Sequence, residues 1–336
     1  MKRAAIRPLA ALAAVVLCPA SALADDSSAA LGAGGIIFTR SADIRMADEL
    51  LRISPKQVSI RFTFVNETRR DIDLITAFPL PDIDTSEYTM SPLGTTLEDP
   101  VNFIGFKAWA DGKPVAVNVE QRAFYKGRDV TAAVRAARLP INVVNQAGYK
   151  KLEKLTPAQK AVLKKAGIAE WESSETAHPL WLVRTKFWWK QHFPANKPVV
   201  LTHSYQPVTG QSFFAASDLS AKTDQGRYYV RTYCFDDPVT RRRTEAAIAA
   251  AQKADPQNGG YYSAFATDYI LKTGNNWKGP IGHFRLVLDK LKPNALLSLC
   301  WDGPLKKTGP TTFEAERKNF APTRDIKLLV LTPPKG

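Results

Sequence analysis

Residues 57–66 alternate strictly: Val58, Ile60, Phe62 and Phe64 point one way while Ser59, Arg61 and Thr63 point the other. A period of two over this length predicts a strand with one face buried. A polar turn at 67–71 leads to a second strand over 72–78, and Pro79-Leu80-Pro81 then interrupts pairing because proline lacks a donor. Residues 103–109 and 115–119 flank Ala110-Asp111-Gly112-Lys113, the signature of a hairpin around an Asp-Gly turn. The period then changes. Asp129 is placed to cap a helix in which Val130, Val134 and Ala137 recur at helical spacing, with Pro140 ending it. Thr156-Pro157 starts a second helix and Gly167 closes it.

Strands are predicted again over 181–190, 199–206 and 227–235. Asp237-Pro238 opens a third helix through about residue 253, followed by a short helix over 263–271, and strands at 283–289, 295–301 and 326–331 complete the pattern. This order predicts a mainly β fold: an antiparallel β-sandwich with immunoglobulin-like packing in one or two lobes, carrying helical insertions near 126–170 and 237–271. No internal repeat at a fixed period is visible.

Several segments together resemble one family. They are Asp25-Asp26-Ser27-Ser28-Ala29-Ala30-Leu31-Gly32, Ala77-Phe78-Pro79-Leu80-Pro81, Trp189-Lys190-Gln191-His192-Phe193-Pro194-Ala195, residues 273–282 (TGNNWKGPIG) and residues 319–325 (NFAPTRD). The chain is similar along essentially its whole length after residue 24 to the exported bacterial family called domain of unknown function 4424. The resemblance implies a periplasmic or secreted location and carries over no catalytic residue, cofactor or substrate.

The amino terminus agrees with export. Lys2, Arg3 and Arg7 precede an apolar run from Leu9 to Cys18, and Ser21-Ala22-Leu23-Ala24 ends in the small-x-small pattern read by signal peptidase. Residues 1–24 therefore read as a signal peptide, with 25–336 as the mature domain. The apolar run is too short to cross a bilayer, so removal is favoured over an uncleaved anchor, and no later segment reaches spanning length. Leu17 before Cys18 is larger than lipoprotein processing prefers. Two cysteines then remain, Cys234 and Cys300. In an oxidising compartment they predict one disulfide closing a loop of about 67 residues, worth roughly 4 kcal/mol in the chain-entropy model; two separate buried thiols are the other option.

The 336 residues, 45% of them hydrophobic, supply a globular core and exclude a disordered chain. The formal net charge is +14, and removing Lys2, Arg3 and Arg7 leaves +11. Eleven cations against Asp129 and Glu153 put +9 of this between Arg122 and Lys165. Arg135, Arg138, Lys150, Lys151, Lys154, Lys160 and Lys164 are the candidate anion-binding residues, with Lys160 and Lys164 turned away from the arc of Ala158, Val162, Leu163 and Ala166. They read either as a docking surface for an anionic envelope component (a lipid headgroup, a polysaccharide or an acidic protein) or as a solvated helix face. Nucleic acid is disfavoured by export.

A second candidate is the strand over 181–190, where Trp188 shares a face with Arg184, Lys186 and Lys190. An indole among cations suits a sugar bearing carboxylates or phosphates, and equally suits cation–π packing within the sheet. Neither catalytic nor metal-binding residues can be assigned, and no cofactor is implied. The four histidines, His178, His192, His203 and His283, form no close ligand pair, and His203 falls on the face of Val199, Leu201 and Tyr205 as a core histidine. Asp82, Asp84 and Glu87 lack the calcium-loop pattern. No Gly-x-Ser-x-Gly, Gly-x-Gly-x-x-Gly or phosphate loop is present. The preferred reading is a non-enzymatic binding or structural module; the alternative is a periplasmic hydrolase of envelope glycans whose site assembles only in the fold. Oligomeric state is not readable.

Overall fold

The computed structural model describes residues 27–32, 35–38, 40–86, 98–171, 176–257 and 259–334, the first two stretches as backbone only. Residues 1–24, which the sequence reads as a signal peptide and which include Cys18, lie outside the described residues, as do Asp25, Asp26 and Glu87. Within them the chain forms three main sheets, antiparallel except where Ile281–Asp289 runs parallel to Ile44–Ile53, and five α-helices.

The first sheet runs, in spatial order, Arg128–Asp129, Asn118–Tyr125, Leu182–Phe193, Ile72–Pro79, Ser27–Gly32, Gly35–Phe38, with Ile83–Asp84 also pairing against Leu182–Phe193. The second runs Lys306–Lys307, Thr312–Phe320, Ile281–Asp289, Ile44–Ile53, Val58–Asn66, Pro198–Tyr205, Lys107–Ala110, Lys113–Pro114. These two face each other. Phe62 and Phe64 from the second sheet, and Phe78, Phe187, Trp189 and Phe193 from the first, are fully buried between them. Phe64 meets Phe193 edge-on at 5.9 Å, and Phe106 stacks on Phe187 at 4.5 Å, which makes the pair a sandwich. The alternation read at 57–66 is the observed one, with all four predicted inward residues buried.

A third sheet, Thr209–Phe214, Tyr262–Tyr269, Ile326–Thr332, Leu296–Ser298, is covered on both faces. Leu328 and Val330 turn into the sandwich core, whereas Leu329 and Leu331 turn the other way into a smaller cluster with Tyr229, Tyr233, Phe235 and Ile248. Burial on both sides explains the unbroken apolar run at 328–331. The smaller cluster is closed by helices α4 (Asp224–Thr232) and α5 (Pro238–Ala254), numbered in chain order after α1 (Thr131–Ala136), α2 (Gln146–Glu153) and α3 (Pro157–Ala166). Among the described residues no helix is long and apolar enough to cross a membrane.

Four expectations are corrected. Residues 227–235 are mostly helical, not a strand: Thr223 accepts from the Gly226 N–H at the helix start, and Tyr229 and Tyr233, four apart, share the buried side. Their aromatic and β-branched content favours a strand locally, but packing against the third sheet decides. Residues 262–269 form a strand rather than a short helix, hydrogen-bonded on both sides to Thr209–Phe214 and Ile326–Thr332. The hairpin at Asp111-Gly112 is real, both residues having positive φ (48° and 77°). Its return arm, however, is only Lys113–Pro114, and the chain crosses to the first sheet for Asn118–Tyr125. The strand expected over 295–301 contracts to Leu296–Ser298.

Candidate functional site

The cationic insertion is built on well-capped helices. In α3 the Thr156 hydroxyl accepts from the Gln159 N–H (3.3 Å) and the Gln159 side chain accepts from the Thr156 N–H (2.9 Å). Gly167 then ends the helix at φ 65°, where a side chain would be strained. Gln159 also donates to the Ala137 carbonyl at 2.7 Å, tying α3 to α1, and Trp181 donates to the Ile141 carbonyl at 2.9 Å, tying the insertion to the first sheet. Val134, Leu152 and Leu163 are buried in the main core. Asp129 accepts from the Thr131 N–H as expected of a cap, although the boundary residue itself is Val130.

Outward from this frame, Arg135, Arg138, Lys150, Lys151, Lys154 and Lys164 are exposed and Lys160 is half-buried. Of the predicted apolar arc on α3, Leu163 is buried and Val162 and Ala166 are partly buried, while Ala158 is exposed. Arg135, Lys150, Lys151, Lys164 and Lys165 all lie in the last turns of their helices. There the partial negative charge of the free carbonyls stabilises a cation by roughly 0.3–1 kcal/mol. Helix polarity therefore accounts for where these charges sit in sequence, though not for their number. Among the described residues none of Arg138, Lys150, Lys151, Lys154 and Lys165 takes part in an ion pair, and Lys164 lies 4.9 Å from the Trp171 ring.

The strand Leu182–Phe193 alternates as read, with Trp181, Val183, Thr185, Phe187 and Trp189 buried. On its other face the cations are differently placed. Arg184 makes a bidentate pair with Asp82, Nη2 donating to Oδ2 at 2.9 Å and Nε to Oδ1 at 3.1 Å, and stacks 4.2 Å from the Phe124 ring, and Lys186 lies 3.4 Å from Glu120. Trp188 is partly buried and packs on Ala77 of the neighbouring strand, and Lys190 is exposed. Arg184 and Lys186 are thus already engaged by carboxylates within the sheet.

Cys234 and Cys300 form a disulfide, joining the end of α4 to the segment after Leu296–Ser298. His203 is fully buried among Phe62, Phe78, Phe106 and Trp189, with ring centroids 5.1–5.6 Å away. Burial pushes its pKa down to about 3, so it is a neutral core residue. His283, on an outer sheet face, lies 2.7 Å from Asp48 and 2.6 Å from Glu316, and these hydrogen bonds raise its pKa. With a carboxylate on each ring nitrogen it is a cross-strand bridge. Asp84 is used locally, accepting from the Ser86 N–H and hydroxyl. Among the described residues no group of three His, Cys, Asp or Glu side chains is arranged to hold a metal ion.

Two grooves meet at Pro81 and Asp82, about 190 and 250 Å³ in volume, and both include Asp268. Their carboxylates come together only in the fold. Each carries a cation: Asp82 holds Arg184, Asp268 holds Lys327 at 2.7 Å, and Asp325 holds Lys272 at 3.6 Å.

None of the curated proteins matches the chain. Among solved structures it is similar to a Legionella pneumophila protein described as a candidate nutrient-binding protein, at 14% identity and a TM-score of 0.44, covering 92% of this chain and 70% of that one. It is also similar to an M1 zinc metallopeptidase of Deinococcus radiodurans, at 8% identity and a TM-score of 0.22, of which it spans 44%. A family model described as domain of unknown function (DUF4424) matches residues 24–329, nearly the entire chain, and the protein belongs to that family.

Proposed function

We propose that the chain is exported with loss of residues 1–24 and acts outside the inner membrane as a non-enzymatic binding module, docking an anionic envelope component through the helical insertion. The observation that carries this reading is the set of exposed cations on a platform of capped helices, among them Arg138, Lys150, Lys151 and Lys154, with no carboxylate among the described residues neutralising them. A charged surface left open attracts opposite charge over about 8–10 Å at physiological ionic strength. The Cys234–Cys300 bridge supports an oxidising compartment. The competing reading, a hydrolase of envelope glycans, would draw on the groove at Asp82 and Asp268, where both acids are held by cations.

Crosslinking in the periplasm tests the proposal. The wild-type chain is expected to recover an anionic envelope component that the Lys160→Glu/Lys164→Glu variant recovers less well. Equal recovery by the two, or turnover of an envelope glycan by the purified chain, contradicts it. Sequencing of the mature protein is expected to begin at Asp25.

A further inference from the structure

Ile44–Ile53 and Ile281–Asp289 form the one parallel strand pair among the described strands, with Leu288 opposite Ile53. Parallel neighbours end on the same side. The segments that follow them, Pro55-Lys56 and Lys290-Leu291-Lys292, therefore emerge side by side, bringing Lys56 to Lys290 and Lys292, more than 230 residues away in sequence. Beneath them the inner face of the third sheet continues past the edge of the sandwich core. Phe265 stands opposite Val330, and Gln211 opposite Phe265. The space enclosed is a cavity of about 520 Å³, within the range of roughly 300–1,000 Å³ that small-molecule sites occupy.

The lining has a marked chemical asymmetry. Among the described residues it holds Lys56, Lys290 and Lys292 and no carboxylate. The nearest acid in sequence, Asp289, turns to accept from the Leu291 N–H at 2.8 Å. Lys290 is only 3% exposed, and its ammonium donates to the Pro293 and Ala295 carbonyls, so its charge is solvated by dipoles and not by a counterion. Burial, with Arg243 and Lys307 nearby, lowers its pKa. Leu291 is an exposed apolar side chain at the mouth, held at φ 66°. A wall of Phe265 and Val330 under a lysine rim fits an amphiphile better than a bare ion.

We infer that this cavity binds a small amphiphilic carboxylate, its apolar body against Phe265, Val330 and Leu291 and its head between Lys56 and Lys292. The site is separate from the helical insertion and does not depend on the docking reading. Isothermal titration of the full mature chain with decanoate tests it, with acetate and decyltrimethylammonium as the head-only and opposite-charge probes. Decanoate is expected to bind at one site per chain. The Lys56→Glu/Lys292→Glu variant is expected to lose about tenfold or more in affinity, and Lys56→Gln/Lys292→Gln a smaller part, since charge-assisted contacts are the stronger ones. The two lysines are exposed, so unchanged thermal midpoints should show that both variants fold, and the glutamine variant keeps the test open if the reversal does not. Lys160→Glu/Lys164→Glu should bind decanoate as wild type does, which separates this site from the insertion. Absence of decanoate binding up to about 1 mM, equal binding of decyltrimethylammonium, or unchanged affinity in both lysine variants overturns the inference.

Discussion

Leu328 and Leu329 are neighbours in one strand and belong to different cores. Leu328 packs with Phe284 and Leu286 in the large sandwich, which also takes in α1–α3 through Val134, Leu152 and Leu163. Leu329 packs with Phe214, Tyr229 and Phe235 in a lobe made of the third sheet's outer face, α4 and α5. The sandwich rests on a wide aromatic core with one buried histidine, whereas the lobe buries fewer side chains and is tied by the Cys234–Cys300 bridge. A small core gains less from burial, so a covalent tie matters more there. The two halves should therefore fail under different stresses.

Acid should act first on the sandwich. Unfolded, His203 takes a proton below about pH 6.5; folded, it stays neutral down to about 3. Protons then favour the unfolded chain, and stability is expected to fall as pH drops from 6.5 toward 3, by an amount on the order of 5 kcal/mol. In His203→Phe, denaturation midpoints measured across that window should show a shallower decline; an unchanged slope would remove His203 as the cause.

Reduction should act on the lobe. Cys234→Ser/Cys300→Ser, or dithiothreitol, is expected to lower lobe stability by roughly 4 kcal/mol. Hydrogen exchange should show the loss of protection in α4 and α5 while strands Val58–Asn66 and Leu182–Phe193 keep theirs. Uniform loss across both regions would mean that the halves unfold as one unit. Next in size, Thr156→Ala removes the α3 cap and should cost about 1 kcal/mol, appearing in the insertion and the sandwich but not in the lobe. The smallest expected effect is at His283. Its raised pKa gives a contribution that is full below pH 6.5 and lost as pH rises through the raised value; His283→Gln should flatten that alkaline side alone.

What sequence could show follows the same division. Val58–Asn66 and Leu182–Phe193 announce themselves because each has one face fully in the core, and α3 does so through Thr156 and Gly167. Ile44–Ile53 was hidden for a physical reason. A bulge between Met46 and Asp48 shifts its phase, so Ile44 and Met46 point inward, followed by Glu49, Leu51 and Ile53. A buried glutamate at an inward position disguises it further. In the lobe, α4 and Tyr262–Tyr269 exchange appearances because packing on both faces of the third sheet overrides local preference. The cations of the insertion are legible as a run of charge. The lysines of the cavity are not, since only parallel pairing of distant strands brings Lys56 to Lys292.

Retention of the mature chain on isolated cell envelopes as a function of salt tests the docking reading most directly. Wild-type protein should be held at low salt and released as salt rises, with Lys160→Glu/Lys164→Glu released at clearly lower salt. Superimposed release curves, or no retention of the wild type at low salt, would contradict it.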